Sequence, residues 1–144
     1  MPVTCTDLKD LAVALAVESS EEAALRASIS RAYYSAYHSL LPLITQLPPS
    51  ARARSGATHV THEELSNRLG EWKVAGVCPS LARLAPRKGQ ALRALDAARA
   101  SRVKADYHLG ANVTLGEAEH TVERARLVLR ITTEFDEEMA QTGS

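Results

Sequence analysis

Residues 26–40 read RASISRAYYSAYHSL, and advancing each by the helical angle of about 100° separates them into two faces. With Ile29 at zero, Leu25, Tyr33, Ala36, Leu40 and Ile44 all fall within about 60° of it, an apolar stripe that marks the core side of a long helix. Arg31 and His38 fall near about 200° and about 180°, on the opposite side, about 10 Å apart along the axis. That side also carries Ala24, Ala27, Tyr34, Ser35 and Leu41. A solvated face would hold Glu, Lys and Gln, whereas this one is small, aromatic and nearly free of charge apart from Arg31. It reads as a second buried surface, such as a two-fold axis beside the helix produces in a homodimer.

Working outward, apolar spacing is helical along almost the whole chain, and no stretch alternates as a half-buried strand does. Thr4 or Thr6 caps a first helix over about 6–18, with Leu8, Leu11 and Leu15 on its apolar face. Ser19 with Glu22 reads as a capping box that opens the second helix, which runs through about Gln46 with Pro42 kinking or fraying its end. Thr61 with Glu64 starts a third helix to about Trp72. A long fourth begins near Leu81 or Pro86 and ends at Tyr107, and Thr114 with Glu117 starts the last, to about Met139. The fold class is therefore all-α, an up-and-down bundle of four to five antiparallel helices forming one domain over 1–144. The Pro-, Ser- and Arg-rich stretch at 50–60 is expected to be a mobile basic loop, and 141–144 a disordered tail.

The 144 residues carry 17 Lys+Arg and 17 Asp+Glu, with 45% apolar residues. That composition excludes an intrinsically disordered chain, and the zero net charge lacks the overall signature of a strongly basic nucleic-acid binder. The zero is an average over unequal segments. Residues 52–104 hold eleven basic side chains (Arg52, Arg54, Arg68, Lys73, Arg83, Arg87, Lys88, Arg93, Arg99, Arg102, Lys104) against Glu63, Glu64, Glu71 and Asp96. From residue 105 onward Arg124, Arg126 and Arg130 face eight acids. A basic middle points to a polyanionic partner or to internal pairing. Cys5 and Cys78 are two lone thiols, the opening MPVTCTDLKD lacks a basic leader, and the apolar run Leu11–Val17 is too short to span a bilayer. A reduced, cytoplasmic protein with no membrane partner is the expectation.

An Arg and a His sharing a cleft across a two-fold axis suit metal-free cleavage of RNA. Histidine transfers protons near neutral pH, and arginine holds a phosphate through paired hydrogen bonds while offsetting charge in the transition state. Two copies of His38 supply a base for the 2′-hydroxyl and an acid for the leaving 5′-oxygen. No cofactor or metal is required by that chemistry.

The string SRAYYSAYHSLL, with Arg31 and His38 separated by six residues, resembles the HEPN domains (higher eukaryotes and prokaryotes nucleotide-binding), whose signature is an Arg and a His four to six residues apart on one helix. SRVKADYHL, residues 101–109, is similar to the Arg-x-x-Ala-Asp-Tyr segment near the end of the fourth helix in the small prokaryotic branch. The resemblance implies a helical bundle that dimerises and, in active members, cleaves RNA without a metal at a composite site. It places Arg31 and His38 in the catalytic positions, with Tyr34, Ser35 and Tyr107 as supporting or substrate-binding residues. Asp106 and Tyr107 match the second segment, where bonding back to the second helix is the expectation. It further implies a toxin or effector of a bacterial defence or toxin–antitoxin system, with an RNA substrate and an antitoxin such as a nucleotidyltransferase-type protein as partners. Two positions depart from the pattern: Ala32 stands where active members often carry a polar residue, and Leu40 where some toxins carry a modifiable Tyr. The first keeps a non-catalytic nucleotide-, RNA- or protein-binding module as the alternative.

His59 and His62 in THVTHEEL superficially suggest a metal site, but the Glu residues follow the second His, unlike the HExxH pattern, and Thr61 is placed to cap a helix. Trp72 reads as an anchor between the third helix and the bundle. No Gly-rich phosphate loop or nucleophile elbow is present.

Overall fold

The structure, a computed structural model, describes residues 2–53, 60–72 and 84–142. Among them the chain forms five helices and no strand: α1 (Cys5–Leu15), α2 (Glu22–Ile44), α3 (His62–Glu71), α4 (Ala85–Tyr107) and α5 (Leu115–Thr142). Arg54–His59, Lys73–Arg83 and 143–144, and with them Cys78, lie outside the described residues.

Three of the five helix starts follow side-chain capping chemistry. Thr4 accepts the Asp7 N–H at 3.0 Å while the Asp7 carboxylate accepts the Thr4 N–H at 2.9 Å, a complete capping box. Thr61 and Thr114 accept the N–H groups of Glu64 and Glu117 in the same way. The box expected at Ser19 and Glu22 does not form. Glu21 occupies the N-cap of α2 without a side-chain bond, because the Glu22 carboxylate is drawn instead to the Val113 N–H (2.8 Å) and to Arg26 (3.2 Å). Pro42 lies in the last turn of α2, and the helix continues two residues past it to Ile44. Pro86 falls in the first turn of α4, where its missing N–H leaves no bond unmade.

Specific pairs fix the helix directions. Ser28 and Ser35 donate to the carbonyls of Ala12 (2.6 Å) and Cys5 (2.7 Å), so α1 and α2 are antiparallel. Arg26 reaches Ala105 and Arg102 reaches Tyr34, so α2 and α4 are antiparallel. Lys104–Glu117 and Arg87–Glu134 set α4 and α5 antiparallel, leaving α2 and α5 parallel across the bundle. The result is an up-and-down four-helix bundle, with α3 packed against α2 and α4. The core is built from Leu40, Ile44, Leu65, Leu69, Leu95, Ile131 and Phe135, all fully buried. Trp72 packs on Phe135 with ring centroids 5.3 Å apart, anchoring the end of α3 as the sequence suggests. A smaller cluster of Leu25, Ile29, Ala105, Val113 and Ala118 closes the end where α4 turns into α5.

Two expectations change. On α1 the buried residue is Ala12, and Leu11 is 45% exposed. The stretch expected as a mobile basic loop over 50–60 opens on buried Ser50, which gives both its N–H and its hydroxyl to the Glu64 carboxylate, and its residues 54–59 lie outside the described residues. The tail expected to be disordered from 141 instead starts inside α5, which reaches Thr142. Among the described residues no helix is long and apolar enough to cross a membrane.

Candidate functional site on the free face of α2

Because α2 is flanked by α1 on one side and α4 on the other, and backed by α5, one face remains uncovered. The stripe read from the sequence as core is core: Leu25, Ile29, Tyr33, Ala36, Leu40 and Ile44 are all buried. Arg31 and His38 are exposed on the opposite side, in a helix whose other side chains are mostly buried or half-buried. Tyr34 lies half-buried between them, its ring 6.1 Å from that of His38, and Tyr37 meets the imidazole edge-on at 5.3 Å. Ala24, Ala27 and Leu41, on the same side, are half-buried.

Ser35 does not belong to this face. Its side chain is fully buried and donates to the Cys5 carbonyl, because at about 240° on the helical wheel it turns under α1. Tyr107 is 68% exposed at the last turn of α4, separated from Tyr34 by the Arg102 guanidinium. Asp106 bonds back to α2, accepting from Ser30 at 3.3 Å.

Arg102 is the residue that assembles the site, although in the sequence it stands out only as one of the basic residues of 52–104 and as the start of the Arg-x-x-Ala-Asp-Tyr match. Its Nη2 donates to the Tyr34 hydroxyl at 2.6 Å, and its guanidinium carbon lies 5.5, 5.3 and 5.4 Å from the ring centroids of Tyr33, Tyr34 and Tyr107. Such placements are attractive because the cation faces the negative ring faces. Asp106 stands 3.4 Å from Nε and fixes the fork from behind.

Beneath this layer a chain of hydrogen bonds runs from buried Tyr33 out to exposed Asp96. The Tyr33 hydroxyl is 2.8 Å from His62 Nδ1, and His62 Nε2 is 3.0 Å from the Asp96 carboxylate, which Ser66 also reaches at 3.2 Å. With His62 neutral, a carboxylate on Nε2 requires the proton there, so Nδ1 accepts and the Tyr33 O–H donates. Burial pushes the Tyr33 phenol up to about 12, against the opposing charge of Arg102. Burial likewise holds the His62 imidazole below its ordinary range, outweighing the hydrogen bond it donates to Asp96. His62 is the first residue of the helix that Thr61 caps, as expected, with its ring turned onto Tyr33. Among the described residues no group of three or more His, Cys, Asp or Glu is placed to hold a metal ion; His59 lies outside them.

The basic middle of the chain divides on folding. Arg68 pairs with Glu64, Arg87 with Glu134 and Lys104 with Glu117, while Lys88 donates to the carbonyls of Gly70 and Trp72. Arg99 is exposed on α4 one turn before Arg102. Arg54, Lys73 and Arg83 fall outside the described residues. The site draws on Arg31, Arg99 and Arg102, and much of the remaining excess is spent on packing helices together.

No protein-family model matches the chain, and neither a curated protein nor a solved structure does.

Proposed function

We propose that this chain is a metal-independent endoribonuclease acting as a homodimer, with Arg31 and His38 as its catalytic residues. The observation that carries the reading is that these two side chains are exposed together on the uncovered face of a helix otherwise occupied in the bundle. Two protomers apposed along that face bring two imidazoles and two guanidinium groups to one phosphate. One His38 takes the proton of the ribose 2′-hydroxyl as its oxygen attacks phosphorus. The bond to the 5′-oxygen breaks, and His38 of the second protomer protonates that oxygen, leaving a 2′,3′-cyclic phosphate and a 5′-hydroxyl. Arg31 holds the non-bridging oxygens and offsets the charge that builds on them.

The resemblance to HEPN domains supplies the setting: a cytoplasmic toxin or effector of a bacterial defence or toxin–antitoxin system, restrained by a protein partner such as a nucleotidyltransferase-type antitoxin. Purified protein incubated with RNA, with and without EDTA, tests the chemistry. Cleavage that persists in EDTA and is lost in His38→Ala supports it; cleavage that needs a metal, or that survives His38→Ala, overturns it. A second reading, a binding module without catalysis, is favoured by Ala32. That residue is fully buried and lends no polar atom to the face. It predicts RNA bound and left intact, with no growth defect on expression.

A further inference from the structure

Tyr107 holds a large ring out into solvent from a turn that is firmly tied down. The carbonyls of Lys104, Ala105, His108, Leu109 and Ala111 all converge on the Arg26 guanidinium. Lys104 also pairs with Glu117 at 2.6 Å, and the Val113 N–H is held by Glu22. An aromatic ring at a frayed helix end needs no explanation, but one displayed from a pinned turn is a preformed contact surface. Leu109, 76% exposed, adds an apolar neighbour two residues on.

The ring is also connected to the candidate catalytic face. Arg102 lies between the rings of Tyr107 (5.4 Å) and Tyr34 (5.3 Å), and the Tyr34 ring is 6.1 Å from that of His38. The row His38, Tyr34, Arg102, Tyr107 is therefore continuous from the imidazole to the exposed ring. Exposed Arg31 and Arg99 accompany it. The acid in the row, Asp106, is already engaged by Arg102 and Ser30. Aromatic rings interleaved with arginines suit a strand whose bases stack while its phosphates pair with cations, and a duplex offers no free base face to such a ring.

We infer that Tyr107 is a base-stacking platform, and that the substrate is a single-stranded nucleic acid laid along Arg99, Arg102 and Arg31 toward His38. The inference rests on the ribonuclease reading and names its substrate class as unpaired RNA. Strand binding is measured by fluorescence anisotropy with labelled single-stranded oligodeoxyadenylate, which lacks the 2′-hydroxyl and stays intact during the measurement. Tyr107→Ala weakens binding about tenfold, whereas Tyr107→Phe stays within about twofold of the parent. With the unaltered protein, an abasic strand and the same strand in a duplex both fall to the affinity of Tyr107→Ala. Equal binding by Tyr107→Ala, or by the abasic strand, overturns the inference. So does a Tyr107→Ala protein whose own association state changes while the strand binds as before. Absence of RNA cleavage removes the nuclease reading and leaves the strand result standing; loss of the strand result with cleavage intact removes only the role of Tyr107.

Discussion

The Tyr33 hydroxyl lies 2.8 Å from Nδ1 of His62, and this contact ties α3 to the helix that carries the candidate site. Tyr33 is 3% exposed and the His62 side chain 12%, so each has little access to water if the other is removed. Tyr33→Phe leaves a buried imidazole nitrogen without a donor and is expected to cost about 1–3 kcal/mol, read as a lower urea midpoint with an unchanged slope.

The same imidazole sets a pH dependence. His62 has a folded pKa held below the ordinary 6.5, so the unfolded chain binds its proton first as pH falls. Its contribution is fully present above the unfolded value and is lost as pH drops through the folded one. Glu64 acts lower, because Ser50 holds its carboxyl at about 2 and its contribution is lost only below the ordinary 4.5. Stability should therefore decline as pH falls below about 6.5, and His62→Gln should flatten that part of the profile. Denaturation at a series of pH values decides it.

Arg26 serves carbonyls that the end of α4 and the following turn cannot satisfy for themselves. Arg26→Lys keeps the charge but loses the planar fork that reaches several acceptors at once. A loss of about 2–4 kcal/mol is expected for Arg26→Ala, with Lys recovering less than half. Faster amide exchange at Val113, whose N–H depends on the Glu22 that Arg26 orients, is the local signature.

Ser35 and Tyr34 are neighbours in the sequence with opposite fates, and the RNA cleavage assay separates them. Ser35→Ala removes a buried bond to Cys5, costs about 1 kcal/mol of stability and leaves the rate as it was. Tyr34→Ala removes the ring between Arg102 and His38 and lowers the rate without a comparable loss of stability. Equal rates for the two variants would detach Tyr34 from the site.

Salt dependence reports how many cations meet the strand. With Arg31, Arg99 and Arg102 alone, log affinity for a single strand should fall with log salt at a slope of about −2 per protomer. Neutralising Arg87 or Lys88, engaged elsewhere, should leave that slope unchanged. A slope several times steeper would return the whole basic middle to the interface.

What was legible in the sequence is what obeys a short period. The core stripe of α2, the caps at Thr4, Thr61 and Thr114 and the placement of Trp72 all follow from spacing or from a side chain within reach of its own helix. The angular reading of α2 also sets Arg31, Tyr34 and His38 together, because two turns of one helix need no tertiary information. It fails at Ser35, since a wheel gives an angle but not the width of the neighbouring helix that covers it. Residues acting across the bundle were invisible for the same reason. Glu22 reads as a cap until Val113 claims it, and Arg26, Asp96 and Arg102 carry no local mark of the carbonyls, imidazole and phenol they meet far along the chain on other helices.

The collar of carbonyls around Arg26 also carries a temporal order. A chain growing from its N-terminus makes α1 and α2 first, and at that stage Arg26 has none of its acceptors, Tyr33 lacks His62 and Tyr34 lacks Arg102. The face bearing Arg31 and His38 exists early as a sequence, but its backing arrives only with residues 102–113. On the proposed function a nascent chain is an incomplete nuclease beside the RNA-rich machine that makes it, and its candidate site is backed only once α4 and the turn after it are in place.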